Sequence, residues 1–190
     1  MKGMIKEFRV IRILGISGSL RTASSNTVLL RAATSLAPEG VDINVYGDLG
    51  DLPHFNPDLE GSEPPSVIDF RARLHMSDGI LISSPEYAHG VPGVLKNALD
   101  WVVGSGELVG KPVALLNASP RATHAQASLR ETLTTMDARI VTEASLTVPL
   151  PTNKIDQIGI VSHSEISSVL HAAIVAFAYA IKTFQGEDRD

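Results

Sequence analysis

Val10-Ile11-Arg12-Ile13-Leu14-Gly15-Ile16-Ser17-Gly18-Ser19-Leu20-Arg21-Thr22-Ala23-Ser24-Ser25-Asn26 changes character halfway along. Val10 to Ile16 is nearly all aliphatic, as a central strand covered on both faces requires. From Ser17 the chain turns to glycine, hydroxyl side chains and one arginine. Val28, Leu29, Leu30, Ala33, Leu36 and Ala37 then recur at helical spacing, closed by Pro38-Glu39-Gly40. A buried strand, a polar loop and a helix in that order form the opening unit of a parallel α/β sheet.

The same alternation continues downstream. Val41, Ile43 and Val45 alternate with Asp42, Asn44 and Tyr46, which predicts a strand with one polar face at a sheet edge. Gly47 to Pro65 is a long irregular stretch, a length that inside a compact domain marks a functional loop or an interface arm. Ser66 to His75 reads as a helix and Gly79 to Ser83 as a buried strand. Val91 to Val102 reads as a helix with Pro92 in its first turn. A strand at Val113 to Leu116, a helix through Ala125, Leu129, Leu133 and Met136, and a strand region from Ile140 to Val148 follow. Ser162-His163-Ser164-Glu165 has the pattern of a capping box for a terminal helix carrying Ile166, Val169, Leu170, Ala173, Phe177, Ile181 and Phe184. The expectation is α/β: one domain over residues 1–190, built on a doubly wound, five-stranded parallel sheet with helices on both faces.

Composition narrows the chemistry. Among 190 residues there is no cysteine, which excludes disulfide scaffolds, cysteine-bound zinc, iron–sulfur clusters and dithiol redox motifs. The six histidines, at 54, 75, 89, 124, 163 and 171, lack metal-ligand spacing, so no metal site is expected. Any redox centre must be an imported cofactor. A net charge of −5 without a basic run argues against nucleic acid and anionic membranes as partners. The basic, then apolar start from Met1 to Ser17 faintly imitates a signal peptide, but Arg12 interrupts it and no cleavage site follows, so a first strand is expected. No run approaches about 18 apolar residues, and Ala172 to Ile181 fits a buried helix. A soluble, cytoplasmic protein is the expectation.

In doubly wound sheets ligands bind beyond the carboxyl ends of the strands, where strand order reverses. Three loops sit at such positions. Ser17 to Asn26 combines a turn glycine, hydroxyls, the permanent charge of Arg21 and a helix N-terminus, a set suited to a terminal phosphate. Capping of the helix accounts for one of its serines and not for the arginine. The loop lacks both the P-loop ending and the dinucleotide fingerprint, which leaves a mononucleotide phosphate. In Ser84-Pro85-Glu86-Tyr87-Ala88-His89-Gly90-Val91-Pro92-Gly93, two prolines and two glycines fix a ribbon able to present backbone groups to a flat polar ring. Taken singly, Tyr87 reads as an ordinary half-buried aromatic and His89 as a solvated loop residue. The third loop is Ala118-Ser119-Pro120-Arg121-Ala122-Thr123-His124.

The motif Gly-Ser-Leu-Arg-x-x-Ser-x-Asn from Gly18 to Asn26, and Pro-Glu-Tyr-x-x-Gly-x-Pro-Gly-x-Leu-Lys-Asn-Ala-Leu-Asp-Trp from Pro85 to Trp101, are decisive. Leu52 to Glu60, Ala144-Ser145-Leu146 and Ile155-Asp156 extend the pattern over almost the whole chain. The sequence resembles the NADPH-dependent FMN reductase family, flavodoxin-like enzymes that include quinone, chromate and azo-dye reductases. The resemblance implies that Ser17, Ser19, Arg21, Ser24 and Asn26 hold the FMN phosphate. It implies that Pro85, Glu86, Tyr87, Ala88, His89 and Gly90 line the isoalloxazine ring, and that Ser119 reaches the flavin. Ala88 stands where many relatives have asparagine, and Arg121 takes the first of the positions where they have glycines. Arg121 is a candidate for the 2′-phosphate of NADPH.

The activity so implied is hydride transfer from NADPH, or NADH, to FMN, then reduction of a small-molecule acceptor: a quinone, azo or nitro compound, free flavin or metal oxyanion. Such chemistry belongs to the flavin, and no catalytic side chain is expected. A flavodoxin-type electron carrier without NADPH oxidation, or a flavin-free sensor or scaffold, stands as the alternative. The resemblance also implies a homodimer or homotetramer, using the Lys96-to-Trp101 helix and the Pro53-to-Glu60 arm. Trp101 is the candidate interface anchor.

Overall fold

The computed structural model describes residues 9–152 and 154–187. Lys2 and Lys6, part of the basic N-terminal stretch discussed above, lie outside the described residues. Strand β1 (Ile11–Ser17) is central, with β2 (Val41–Tyr46) on one side and β3 (Gly79–Ser83) on the other, both parallel to it. Next come β4 (Pro112–Asn117) and, beside it, the short strands β5 (Arg139–Ile140) and β6 (Leu146–Thr147). The order is β2-β1-β3-β4-β5, with β6 also pairing β4. The order of strand addition thus reverses between β1 and β3, whose carboxyl ends meet at the Ser17–Ser83 pair.

Period-two alternation divides the aliphatic strands between two cores. Leu14, Ile16, Ile80, Ile82, Val113 and Leu115 face the cluster formed with α2 (Pro65–Met76), α3 (Gly93–Val103) and α4 (Thr123–Thr135). Ile11, Ile13, Leu81, Ala114 and Leu116 face α1 (Ser25–Ser35), α5 (Gln157–Ser162) and α6 (Ser164–Glu187). Edge strand β2 is less one-sided than its alternation suggests. Tyr46, on the nominally polar face, is buried and packs on Phe70 with ring centroids 5.1 Å apart.

Three local outcomes differ from the sequence expectation. Helix α3 starts at Gly93 rather than Val91, because Val91 precedes a proline and Pro92 itself is the extended cap residue. The fifth strand breaks in two around a 3-10 turn at Thr142–Ala144. There the Ser145 hydroxyl accepts from the Leu115 N–H at 3.0 Å and donates to the Val141 carbonyl at 2.8 Å, replacing a ladder partner by a side chain. At the C-terminal end, Ser162 closes α5, so the Ser162–Glu165 pattern marks a junction between two helices. Helix α6 is long and apolar enough, by length and composition, to cross a membrane. Its Ile166, Leu170, Ile174, Phe177 and Ile181 are buried in the second core.

The irregular stretch after β2 is an arm docked on its own chain. It holds 3-10 turns at Leu49–Asp51 and Pro57–Leu59. Asn97 accepts from the Phe55 N–H at 2.8 Å and donates to the Pro53 carbonyl at 2.9 Å. The Trp101 indole N–H reaches the same carbonyl at 2.7 Å, and its ring meets Phe55 edge-on at 5.2 Å. Trp101 is 0% exposed, which corrects its reading as an interface anchor. The indole is already enclosed by its own arm.

Candidate functional site

At the carboxyl edge of β1, β3 and β4 lies an open cavity of about 730 Å³. One wall is the loop leading into α1. Gly18 lets this loop lie against the next: a Cβ there would stand 2.4 Å from the Ser84 hydroxyl oxygen and 2.9 Å from Ser84 Cβ. The Gly18 N–H also donates to the Ser83 carbonyl at 2.9 Å. Ser24 caps α1, its hydroxyl accepting from the Thr27 N–H. Ser83, wholly buried, donates to the Asn26 amide oxygen at 2.9 Å and so turns the amide's N–H groups away from itself.

Ser19, Arg21, Ser24, Ser25 and Asn26 line this wall. Ser17 is placed beneath it, its hydroxyl 2.7 Å from that of Thr27, where it shapes the loop from below. Among the described residues, the Arg21 guanidinium has no hydrogen bond or ion pair; only its backbone N–H is engaged, by the Ser19 hydroxyl at 3.3 Å. The Ser25 hydroxyl and the backbone N–H groups of Ser25 and Asn26 likewise have no acceptor within the described chain. Three donors and one unneutralised cation therefore converge on one end of the cavity. That is the electrostatic signature of an anion site at a helix N-terminus.

The second wall is Ser84, Pro85, Glu86 and Tyr87. Beyond it, Tyr87 and Gly90 exchange backbone hydrogen bonds of 3.2 and 2.9 Å, closing a two-residue turn through Ala88 and His89. Ala88, His89 and Gly90 sit on this turn, outside the cavity lining, while Tyr87 is half exposed at the rim. The Glu86 carboxylate accepts from the Ala125 N–H at 2.8 Å.

The third wall, Asn117 to Ala122, is the loop expected after the fourth strand, extended by one residue, Asn117, that sequence reasoning missed. Asn117 organises it: its amide oxygen accepts from the Ser119 N–H at 3.0 Å, and its N–H groups reach the Ala122 carbonyl and the Thr147 hydroxyl. A buried asparagine at the end of an aliphatic strand was the available signal. Ser119 accepts from the Arg121 N–H, while the Arg121 guanidinium, like that of Arg21, has no partner among the described residues. Pro149, Leu150 and Thr152, after β6, complete the lining.

A 2-1-3-4-5 sheet with a polar, cation-bearing cavity at its switch point defines a flavodoxin-like protein built for a mononucleotide. The chain belongs to the NADPH-dependent FMN reductase family, whose model matches residues 11–152. An NAD(P)H-dependent FMN reductase of Pseudomonas aeruginosa is 32% identical over 182 residues, covering 93% of this chain and 98% of its own. A quinone reductase of Escherichia coli is 30% identical over 153 residues, covering 77% and 81%. Among solved structures, the flavoenzyme NAD(P)H:acceptor oxidoreductase FerB of Paracoccus denitrificans superposes with a TM-score of 0.77 at 30% identity, covering 92% of this chain and 98% of that one. The cofactor is accordingly FMN, with NAD(P)H as the co-substrate.

Proposed function

We propose that the protein oxidises NADPH through bound FMN and reduces a small planar acceptor, in the first place a quinone. The observation that carries this reading is the Arg21 guanidinium, unpaired beside the free donors of Ser25 and the first turn of α1. These groups would together hold a dianionic phosphate by charge-assisted hydrogen bonds. Ser19 and the Asn26 amide stand beside it, while Ser17 and Ser24 fix the shape of the loop that presents them. Pro85 and Tyr87 would hold the ring, with Ser119 on the facing wall, and the turn through Ala88, His89 and Gly90 would support Tyr87 from outside the lining. Glu86 serves the wall itself, since its carboxylate is bound to α4.

FMN, when bound, would supply the redox chemistry, hydride acceptance from the reduced nicotinamide and two-electron reduction of the acceptor. The chain's own residues bind, orient and shield. The half-exposed Tyr87 at the rim offers an aromatic face beside which a planar acceptor packs. The quinone-reducing relative supports the choice of acceptor. The second unpaired cation, Arg121, supports NADPH over NADH, since the 2′-phosphate is the anion that distinguishes them. Arg121→Ala should lower the NADPH-to-NADH ratio of kcat/KM by about tenfold, the size of one charge-assisted hydrogen bond. Homodimeric or homotetrameric assembly belongs to the same proposal and is tested by light scattering.

The direct test measures NADPH consumption with FMN and each acceptor class in turn: quinone, azo, nitro, free flavin and chromate. Turnover that requires both FMN and a quinone supports the reading. A protein that binds FMN yet leaves both nicotinamides unoxidised is an electron carrier instead.

A further inference from the structure

Helix α4 begins without a cap of its own. Its cap residue is Ala122, which has no side-chain acceptor to offer. The acceptor comes from 39 residues earlier in the chain, where Glu86 Oε2 receives the Ala125 N–H at 2.8 Å. One residue before Ala125, the His124 ring stacks on His89, centroids 4.3 Å apart and planes within 8°. Two consecutive residues of α4 are thus each gripped by one residue of the loop after β3.

What they grip is a turn under strain. Ala88 and His89 have φ of 48° and 60°, the left-handed region that side-chain-bearing residues adopt only at a cost. Both central positions of a tight two-residue turn of this hand need such values, and the usual choice there is glycine or asparagine. This chain uses Ala and His instead, so local preference does not hold the turn and a contact from outside must.

We propose that Glu86 and His89 are positioning residues, which with Ala125 and His124 clasp the Tyr87–Gly90 turn to the start of α4. The clasp bridges the loops after β3 and β4, two walls of the same cavity, and sets them rigidly relative to each other. Glu86 acts as a hydrogen-bond acceptor toward a helix, and His89 as a flat surface. Neither acts on the ligand by charge. The effect on the cofactor rests on the reading of the Tyr87–Gly90 turn as a flavin wall. The clasp itself does not.

The experiment compares Glu86→Gln, Glu86→Leu and His124→Ala with the unaltered protein. Glutamine keeps an acceptor for Ala125, leucine removes it, and His124→Ala removes only the exposed stack. Amide hydrogen exchange at Tyr87, Gly90 and Ala125 is followed in the protein as purified, and FMN affinity by fluorescence quenching. Glu86→Leu should raise exchange at all three amides and His124→Ala at Tyr87 and Gly90, both weakening FMN binding about five- to tenfold. Glu86→Gln should restore protection and most of the affinity. Unchanged exchange at Gly90 in both Glu86→Leu and His124→Ala would overturn the clasp. So would a Glu86→Gln variant that keeps protection yet loses as much FMN affinity as Glu86→Leu, for then the charge acts on the ligand. Faster exchange with unaltered FMN affinity would keep the clasp and remove this turn from the flavin site.

Discussion

The loop from Ser17 to Ser24 and the arm from Gly47 to Pro64 are both irregular and both follow a strand, but their polar groups are spent differently. In the arm, the Pro53 carbonyl receives Asn97 and Trp101, and the Phe55 N–H goes to Asn97. Glu63 meets the Arg71 guanidinium at 2.6 Å, and that guanidinium also donates to the Trp101 carbonyl and faces Glu107 at 3.7 Å. In the loop and at the first residue of α1, Arg21 and Ser25 keep their donors open toward a cavity. Arg71 is a cation closed into the fold. Arg21 is a cation held in reserve for an anion from outside.

The largest expected effect comes from opening the arm. Trp101→Ala removes a fully buried indole and its bond to Pro53, and should cost about 3–5 kcal/mol, read from the urea midpoint. FMN affinity of the folded fraction should stay near its original value, because Trp101 lies outside the cavity lining. A loss of affinity with an unchanged midpoint would erase the distinction between the two segments.

Gly18→Ala should be the next largest, at about 1–3 kcal/mol of overpacking against Ser84, with weaker FMN binding because the two walls are pushed apart. Adding Ser84→Gly removes the two closest atoms, leaving Leu95 Cδ2 at 3.2 Å, and should recover most of both quantities. A double-mutant cycle by thermal melts and FMN titration checks this. Additive losses would show that the close approach of the loops is irrelevant.

The smallest effect is a pH dependence of the arm. The Glu63 carboxyl is held below its ordinary value of 4.5, first by its own backbone N–H and then by Arg71. A carboxyl lowered in the folded state stabilises fully above 4.5 and loses that contribution as pH falls from there through the lowered value. Emission from Trp101, the single tryptophan, should report a step in that acid range that Glu63→Gln abolishes. A step unaltered by Glu63→Gln would place its origin elsewhere.

Strand–loop–helix units were legible because aliphatic runs and helical spacing are local signals, and the loop after β1 was legible because its donors are neighbours in sequence. The docking of the arm was not, since Asn97 and Trp101 reach Pro53 across 44 and 48 residues and an indole on an apolar helix face looks the same whether it meets its own chain or another. Asn117 and the residues after β6 that complete the third wall were hidden for the same reason. Asn117 reaches Thr147 across 30 residues, and Pro149, Leu150 and Thr152 join the lining from beyond β6. Glu86 reads as a ring-lining residue until its partner, Ala125, is seen beside it.

The reserve cation is tested most directly by titrating the unaltered protein and Arg21→Ala with FMN and with riboflavin, which differ by the phosphate alone. A charge-assisted hydrogen bond of about 1.5–3 kcal/mol corresponds to a roughly ten- to hundredfold loss of FMN affinity in Arg21→Ala. Riboflavin affinity should be the same in both proteins. Equal binding of FMN and riboflavin by the unaltered protein, or FMN affinity untouched by Arg21→Ala, would contradict the account.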